Sequence, residues 1–422
     1  MKGRNWSPVG SRRRGLTTSF SRLAFRFVAV ASAVATIHFM GLYFQYRSSM
    51  REKYSPTQFN AISNWEPESD AGNAERGVLL DNRKHWKKLG EGREGEAFTF
   101  NGSVIKVYND ASSPFRNCIS DADGVVGRWP TEIPATLIMG GHEGDSALTN
   151  DGAYRDTFVP VKDYFLAATD PSQPPKWHLV TPFYQSGTLK KLAKRLRSSK
   201  NPPSYREVDQ MFRPSFEAVL SALGYLHEAQ NLCHDDVKLD NIFVASGEDP
   251  TQWKIGDLGN AREPEHGYHS SPLWTADTPQ LRDCRANDAL RLVKAYMQFL
   301  RLSSADPDAF DAALFGGVET VSRMYWSVRR AAVPMSAADV GEVSAMYPPR
   351  TQGDEELWLA TEPAEVEVSR GWAPAAEAVL GWRGALARVV RLELRVGAKE
   401  DLGKFFGMTG IFGIPVGACQ AL

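Results

Sequence analysis

Two short stretches constrain this chain more than any other feature: CHDDVKLDNIFV, Cys233 to Val244, and KIGDLGNAR, Lys254 to Arg262. The first reads His-x-Asp-x-Lys-x-x-Asn and the second contains Asp-x-Gly. Asp236 and Lys238 can face a transferring phosphoryl group, and Asn241 and Asp257 can hold the magnesium that neutralises it. Such a transfer rests on positioning and charge neutralisation more than on covalent chemistry. A base, a lysine and two metal ligands therefore nearly complete the chemical requirement.

A nucleotide grip should precede this set. Gly90, Gly92 and Gly95 form G-x-G-x-x-G, and small residues let backbone N–H groups approach phosphates. Ala97, Phe98 and Phe100 lead into Asn101-Gly102, a strong hairpin signal. The next apolar run, Val104 to Tyr108, encloses Lys106, and a lysine there is costly unless paired. A dinucleotide-binding βαβ unit is excluded, because these glycines open a hairpin and no helix follows.

Taken in order, these motifs resemble the eukaryotic protein kinase superfamily from about Lys84 to Ala332. The resemblance implies an α+β, two-lobed fold with a small antiparallel β-sheet N-lobe and a mainly helical C-lobe. It implies ATP and Mg2+ as cofactors, with Asp236, Lys238, Lys106 and Glu132 as the catalytic set and Asn241 and Asp257 as metal ligands. Lys106 would grip the α- and β-phosphates and pair with a glutamate on the following helix. Glu132 is the candidate and Glu143 the runner-up; Pro134 restricts that helix to a start close by. Gly90, Gly92, Gly95, Lys106, Thr181 and Phe183 would bind nucleotide, the last two at the hinge Thr181-Pro182-Phe183. Asp288 would hold the catalytic-loop backbone from below; a charge at a helix start is the other reading.

Departures from the family pattern bear on regulation and substrate. Asp235 stands where many regulated kinases carry Arg, which removes a receiver for activation-segment phosphate. Thr278-Pro279-Gln280 replaces an Ala-Pro-Glu ending. Phosphorylation at Tyr268, Ser270, Ser271, Thr275 or Thr278 is therefore not expected to be required. The expected activity is transfer of the γ-phosphate to a hydroxyl, on a protein first. A glycan or small-molecule kinase of the secretory pathway and a pseudokinase scaffold are the alternatives.

The N-terminus carries a separate signal. Residues 1–26 hold seven Lys and Arg and no acid, and residues 27–46 form a charge-free, mostly apolar run of 20. Twenty helical residues span about 30 Å, enough for a bilayer core. The reading is a basic cytosolic tail (1–26), a transmembrane signal anchor (27–46), a polar stem (47–83), the kinase-like domain (84–334) and a C-terminal helical extension (335–422). The basic excess before the span points to a type II protein with its domain in the ER or Golgi lumen, similar in topology to protein O-mannose kinase. A cleaved signal near Ala31-Ser32-Ala33, a mitochondrial presequence and a buried helix stay open. Asn101-Gly102-Ser103 would be a glycosylation acceptor in that lumen.

The 422 residues carry a net charge of -1, which argues against a dedicated nucleic-acid binder. Four cysteines show no metal spacing, and Cys233 reads as a buried thiol beside the catalytic loop. The oligomeric state has no signature in the chain.

Overall fold

The computed structural model describes residues 14–59, 73–92, 95–109, 117–120, 126–144, 152–168, 172, 174–277, 280–349 and 384–396. Thr278, Pro279, Cys419, the start of the basic tail and most of the C-terminal extension lie outside them.

An N-terminal helix, α1 (Arg14–Lys53), leads to α2 (Asn73–Asp81) and a sheet. Strands β1 (Lys87–Glu91), β2 (Gly95–Phe100) and β3 (Ser103–Tyr108) form a meander, and Asn101 and Gly102 at its second turn adopt the positive φ that such a turn demands. β4 (Asn117–Ser120) and β5 (Val126–Trp129) pair apart from it, followed by α3 (Glu132–Gly140) and the short α4 (Gly152–Arg155). β6 (Asp163–Ala167) and β7 (Lys176–Pro182) complete a five-stranded antiparallel sheet ordered β1-β2-β3-β7-β6.

The two-residue alternation of a strand gives that sheet two apolar faces. Ile105, Val107, Phe165 and Val180 pack with Leu79 of α2. Tyr108, Tyr164, Trp177 and Leu179 pack with Trp129 and with Ile133 of α3. Lys106 shares the second parity, which turns it toward α3.

The larger lobe is helical. α5 (Leu189–Arg197) and α6 (Tyr205–Glu228) precede a small hairpin, β8 (Ile242–Val244) with β9 (Trp253–Ile255). Then come α7 (Cys284–Ser303), α8 (Pro307–Gly316), α9 (Thr320–Arg329) and α10 (Ala337–Met346), with a last helix, α11, over residues 384–393. α6 starts on a capping box, in which Ser204 and Glu207 satisfy each other's backbone N–H groups. Its Phe212, Phe216, Val219, Leu223 and Leu226 are wholly buried at helical spacing, and Phe216 stacks on Tyr296 of α7 at 4.5 Å between centroids. Val390 of α11 and Leu394 just after it enter the same core, and Glu393 accepts from the Tyr325 hydroxyl at 2.8 Å.

α1 is longer than the apolar run that suggests it. Its side chains from Ala24 to Gly41 are exposed, and it is the one described helix long and apolar enough to cross a membrane. Its last turns behave differently. Tyr46, Met50 and Tyr54 are buried against Tyr268, Leu273 and Trp274 of the larger lobe. Residues 46–58 thus lie on the folded domain instead of standing apart as a spacer. Apolar spacing in 46–54 is short and broken by charges, which hides this from the sequence.

Candidate active site

The hairpin β8–β9 carries the catalytic loop on one side and Asp-x-Gly on the other. Gly256 N–H donates to the Asn241 carbonyl at 2.9 Å, so the two motifs are joined through the backbone. His234 ties them again. Its Nδ1 accepts from Asp236 N–H at 3.2 Å, which leaves Nε2 as the protonated nitrogen donating to the Gly256 carbonyl at 3.1 Å.

Asp288 sits beneath this loop, wholly buried, and accepts from the backbone N–H of His234 at 2.5 Å and of Asp235 at 3.0 Å. It does not open its helix. α7 begins at Cys284, capped by Asp283, so Asp288 lies a turn inside and acts on the loop.

Asp236 and Lys238 meet directly, with Lys238 Nζ 2.5 Å from Asp236 Oδ2. Asn241 Nδ2 donates to the Asp236 carbonyl at 2.9 Å and to Oδ2 at 3.2 Å. Those bonds use the amide donors and leave the Asn241 side-chain oxygen as the donor atom for a cation. Asp257 has a positive φ of 60°, an unusual backbone state for a non-glycine residue. Burial pushes its carboxyl up, but Lys106 and Lys238 outweigh that and hold it below its ordinary value. An ionised carboxylate, 38% exposed, beside an amide oxygen is a hard-oxygen donor set that fits magnesium.

The smaller lobe adds Lys106. Its Nζ pairs with Glu132 and stands 3.5 Å from Asp257 Oδ1. Glu132 is the first residue of α3, and Pro134 fits two positions on, within the first turn. Tyr108 also donates to Glu132, at 2.5 Å. Burial pushes the Glu132 carboxyl up, with Lys106 opposing it. Glu143 pairs instead with Lys162 at 3.1 Å.

Gly90, Gly92 and Gly95 lie where β1 turns into β2, and Gly92 N–H donates to the Gly95 carbonyl at 2.9 Å. Only Gly95 is sterically compelled, since a Cβ there would stand 2.0 Å from the Val107 carbonyl oxygen. Thr181, opposite Val104, and Phe183, whose N–H donates to Gly102 at 2.9 Å, are half-buried at the end of β7.

Asp235 has an unexpected setting. It is buried, with Arg262 Nη1 at 2.8 Å and His269 Nε2 at 2.9 Å. His269 Nδ1 lies 3.0 Å from the Pro264 carbonyl. Both neighbours of the ring are acceptors, so His269 is bound as an imidazolium. Burial lowers its pKa, but Asp235 outweighs that and pushes it up. The place of a phosphate-receiving Arg is thus taken by an acid whose two cations come from the activation segment.

The end of α1 and the residues after it close over the same region. Arg262 Nη2 donates to the Lys53 carbonyl at 3.0 Å, and Thr57 Oγ1 to the Ala261 carbonyl at 2.8 Å. Gln58 N–H donates to Glu263 at 3.0 Å.

Cys233 corrects the thiol reading, because it is disulfide-bonded to Cys284, joining the catalytic loop to the start of α7. An even cysteine count permits such a bond, but pairing across 51 residues needs the fold.

The comparisons with known proteins follow the same line. Residues 162–278 match the protein kinase domain family. The chain carries a protein kinase-like domain. A relative is the meiosis-specific serine/threonine-protein kinase MEK1 of Saccharomyces cerevisiae, 31% identical over 100 residues, 22% of this chain and 18% of that protein. The chain therefore spans less than a fifth of that relative. The matched residues of the kinase-like domain take in the hinge, the catalytic loop and Asp-x-Gly. The glycine-rich turn, Lys106 and Glu132 precede them and rest on geometry.

Activation-segment geometry adds to the case against regulation by phosphate. Tyr268 is 2% exposed and Ser271 5%, beyond reach of another kinase while folded. Phe at Tyr268 and Ala at Ser270, Ser271 and Thr275 are each expected to leave the turnover rate within a few-fold of the parent. A hundredfold loss from Ser270→Ala or Thr275→Ala in a steady-state assay would refute this.

Proposed function

We propose that this protein transfers the γ-phosphate of ATP to a hydroxyl. The observation that carries the reading is the joining of both lobes at Lys106, which pairs with Glu132 and approaches Asp257. A lysine on a strand, a helix-borne glutamate and the Asp-x-Gly carboxylate meet there at one point.

The residues divide the work as follows. Gly90, Gly92 and Gly95 would cover the phosphates, and Lys106 would hold the α- and β-phosphates. Thr181 and Phe183 would border the adenine. Asp236 would orient the acceptor hydroxyl and take its proton as the oxygen bonds to the γ-phosphorus and ADP leaves. Lys238 would steady the γ-phosphate. Asn241 and Asp257 would hold magnesium, which when bound neutralises charge on the transferred group.

A protein hydroxyl is the first choice of acceptor. A glycan hydroxyl is second, favoured by the altered Gln280 end of the activation segment and by the basic tail that precedes an apolar helix. That order of charge also favours a type II arrangement with the domain lumenal, and the Cys233–Cys284 disulfide suits an oxidising compartment. The rival outside catalysis is a scaffold that binds nucleotide without turnover. The purified protein, incubated with labelled ATP, magnesium and a secretory-pathway glycoprotein extract, is expected to give label retained as phosphoamino acid. Label released with the glycans would shift the reading to a glycan kinase. Nucleotide binding with no label on any acceptor would leave the scaffold.

A further inference from the structure

The geometry points to Arg291 as a positioning residue that locks the Asp236 carboxylate and links it to the end of the activation segment. This rests on the phosphotransfer reading above and deepens it.

Arg291 lies on α7, nearly buried with its side chain 7% exposed. It spends its donors on four acceptors. Nη2 donates to Asp236 Oδ1 at 3.1 Å, and Nη1 donates to the Asp235 carbonyl at 2.9 Å. Nε donates to the Val237 carbonyl at 3.3 Å. Nη1 also donates to Gln280 Oε1 at 3.0 Å. The planar fork of a guanidinium can serve such a set together, whereas a lysine ammonium cannot reach all four.

The arrangement divides the two oxygens of Asp236. Oδ2 is held by Lys238 and Asn241, within the catalytic loop itself. Oδ1 is held only from α7 among the described residues, by Arg291. A carboxylate gripped on one oxygen can still rotate about its χ angles; one gripped on both is fixed. Placement errors of about 1 Å can cost ~10²-fold in rate.

Gln280 extends the linkage. Its Oε1 accepts from both Arg291 and Asn287 Nδ2, the latter at 3.1 Å, and its N–H donates to the Trp274 carbonyl at 3.3 Å. The end of the activation segment is therefore one side chain from the group that fixes the base. A glutamate in that place would be a stronger rival for the guanidinium. The neutral amide leaves Arg291 its charge for Asp236.

The test is a cycle of full-length Arg291→Met, Arg291→Lys, Gln280→Ala and the Met–Ala double variant. The readouts are ATP turnover with water as acceptor and the Kd for ATP–magnesium. Arg291→Met is expected to lower kcat by about 10²-fold with Kd changed by less than about two-fold. Arg291→Lys should recover part of the loss, because it restores charge beside Oδ1. Gln280→Ala should lower kcat several-fold, and the double variant should be no slower than Arg291→Met alone, since both act through one group. If Arg291→Met does not fold, the Gln280→Ala kcat and Kd decide. Full kcat in Arg291→Met or in Gln280→Ala would overturn the proposal, as would losses that multiply independently. Parent protein that binds ATP–magnesium but turns it over neither with water nor with any acceptor in the glycoprotein extract would instead overturn the phosphotransfer reading.

Discussion

Asp236→Asn is expected to lower phosphotransfer by about 10²–10⁴-fold, the range a positioned general base supplies. Asparagine keeps the shape, but its one oxygen can accept from either Arg291 or Lys238, and its amide NH2 faces the other. It cannot take a proton from the attacking hydroxyl. The fold should persist, because Asp236 is partly exposed and the loop is held by Asp288 through backbone bonds at His234 and Asp235. Nucleotide affinity should change little, since Lys106, Asn241 and Asp257 are untouched. The measurements are turnover, ATP–magnesium binding and a thermal melt. Unchanged turnover would remove Asp236 from the chemistry.

Asp235→Asn carries the largest expected effect on stability. The substitution leaves Arg262 and the His269 imidazolium facing each other in a buried site with no anion between them. Removing one partner of a buried ion pair costs roughly 3–5 kcal/mol. Denaturant unfolding checks the size, and a loss within experimental error would refute the cluster. The parent should show the pH signature of two of these groups, His269 and Asp235. His269 is raised, so its stabilisation is complete below about pH 6.5 and is lost as pH rises through the raised value. Burial pushes the Asp235 carboxyl up, but His269 and Arg262 outweigh it and hold the group far below the ordinary carboxylate range. Its stabilisation is present above about pH 3.9 and is lost only as pH falls toward the depressed value. Asn at 235 should flatten the alkaline limb of the stability curve.

Much of the fold was readable, for physical reasons. The hairpin signal at Asn101-Gly102 with the apolar run Val104 to Tyr108, and the helical spacing from Phe216 to Leu226, are local signals, and local signals survive in sequence. The catalytic-loop residues are close in the chain, so they could be named from spacing. Lys106 and Glu132 are 26 residues apart, and their pairing could be suggested only through the resemblance. Asp235 with His269, Cys233 with Cys284 and Arg291 with Asp236 had no such guide. Each joins residues 34 to 55 positions apart through tertiary packing. Asp235 was read for the Arg it replaces, and its own partners were missed because an isolated acid implies nothing about where its cation sits. Arg291 carries no motif of its own. A basic residue on the same helical face as Asp288, nearly one turn on, was the one available hint.

The way α1 joins the domain has a mechanical consequence. A helix of 40 residues is about 60 Å long, roughly twice a bilayer's hydrocarbon thickness. Its far end is stapled to the activation segment by Thr57, Gln58 and the Lys53 carbonyl. If the exposed stretch near residues 24–41 lay in lipid, no slack leash would separate the bilayer from the cleft. The cleft would ride at a set height above the headgroups and sweep a plane instead of a volume. Acceptors lodged at that height would be met by two-dimensional search, while hydroxyls held far above the membrane would pass out of range.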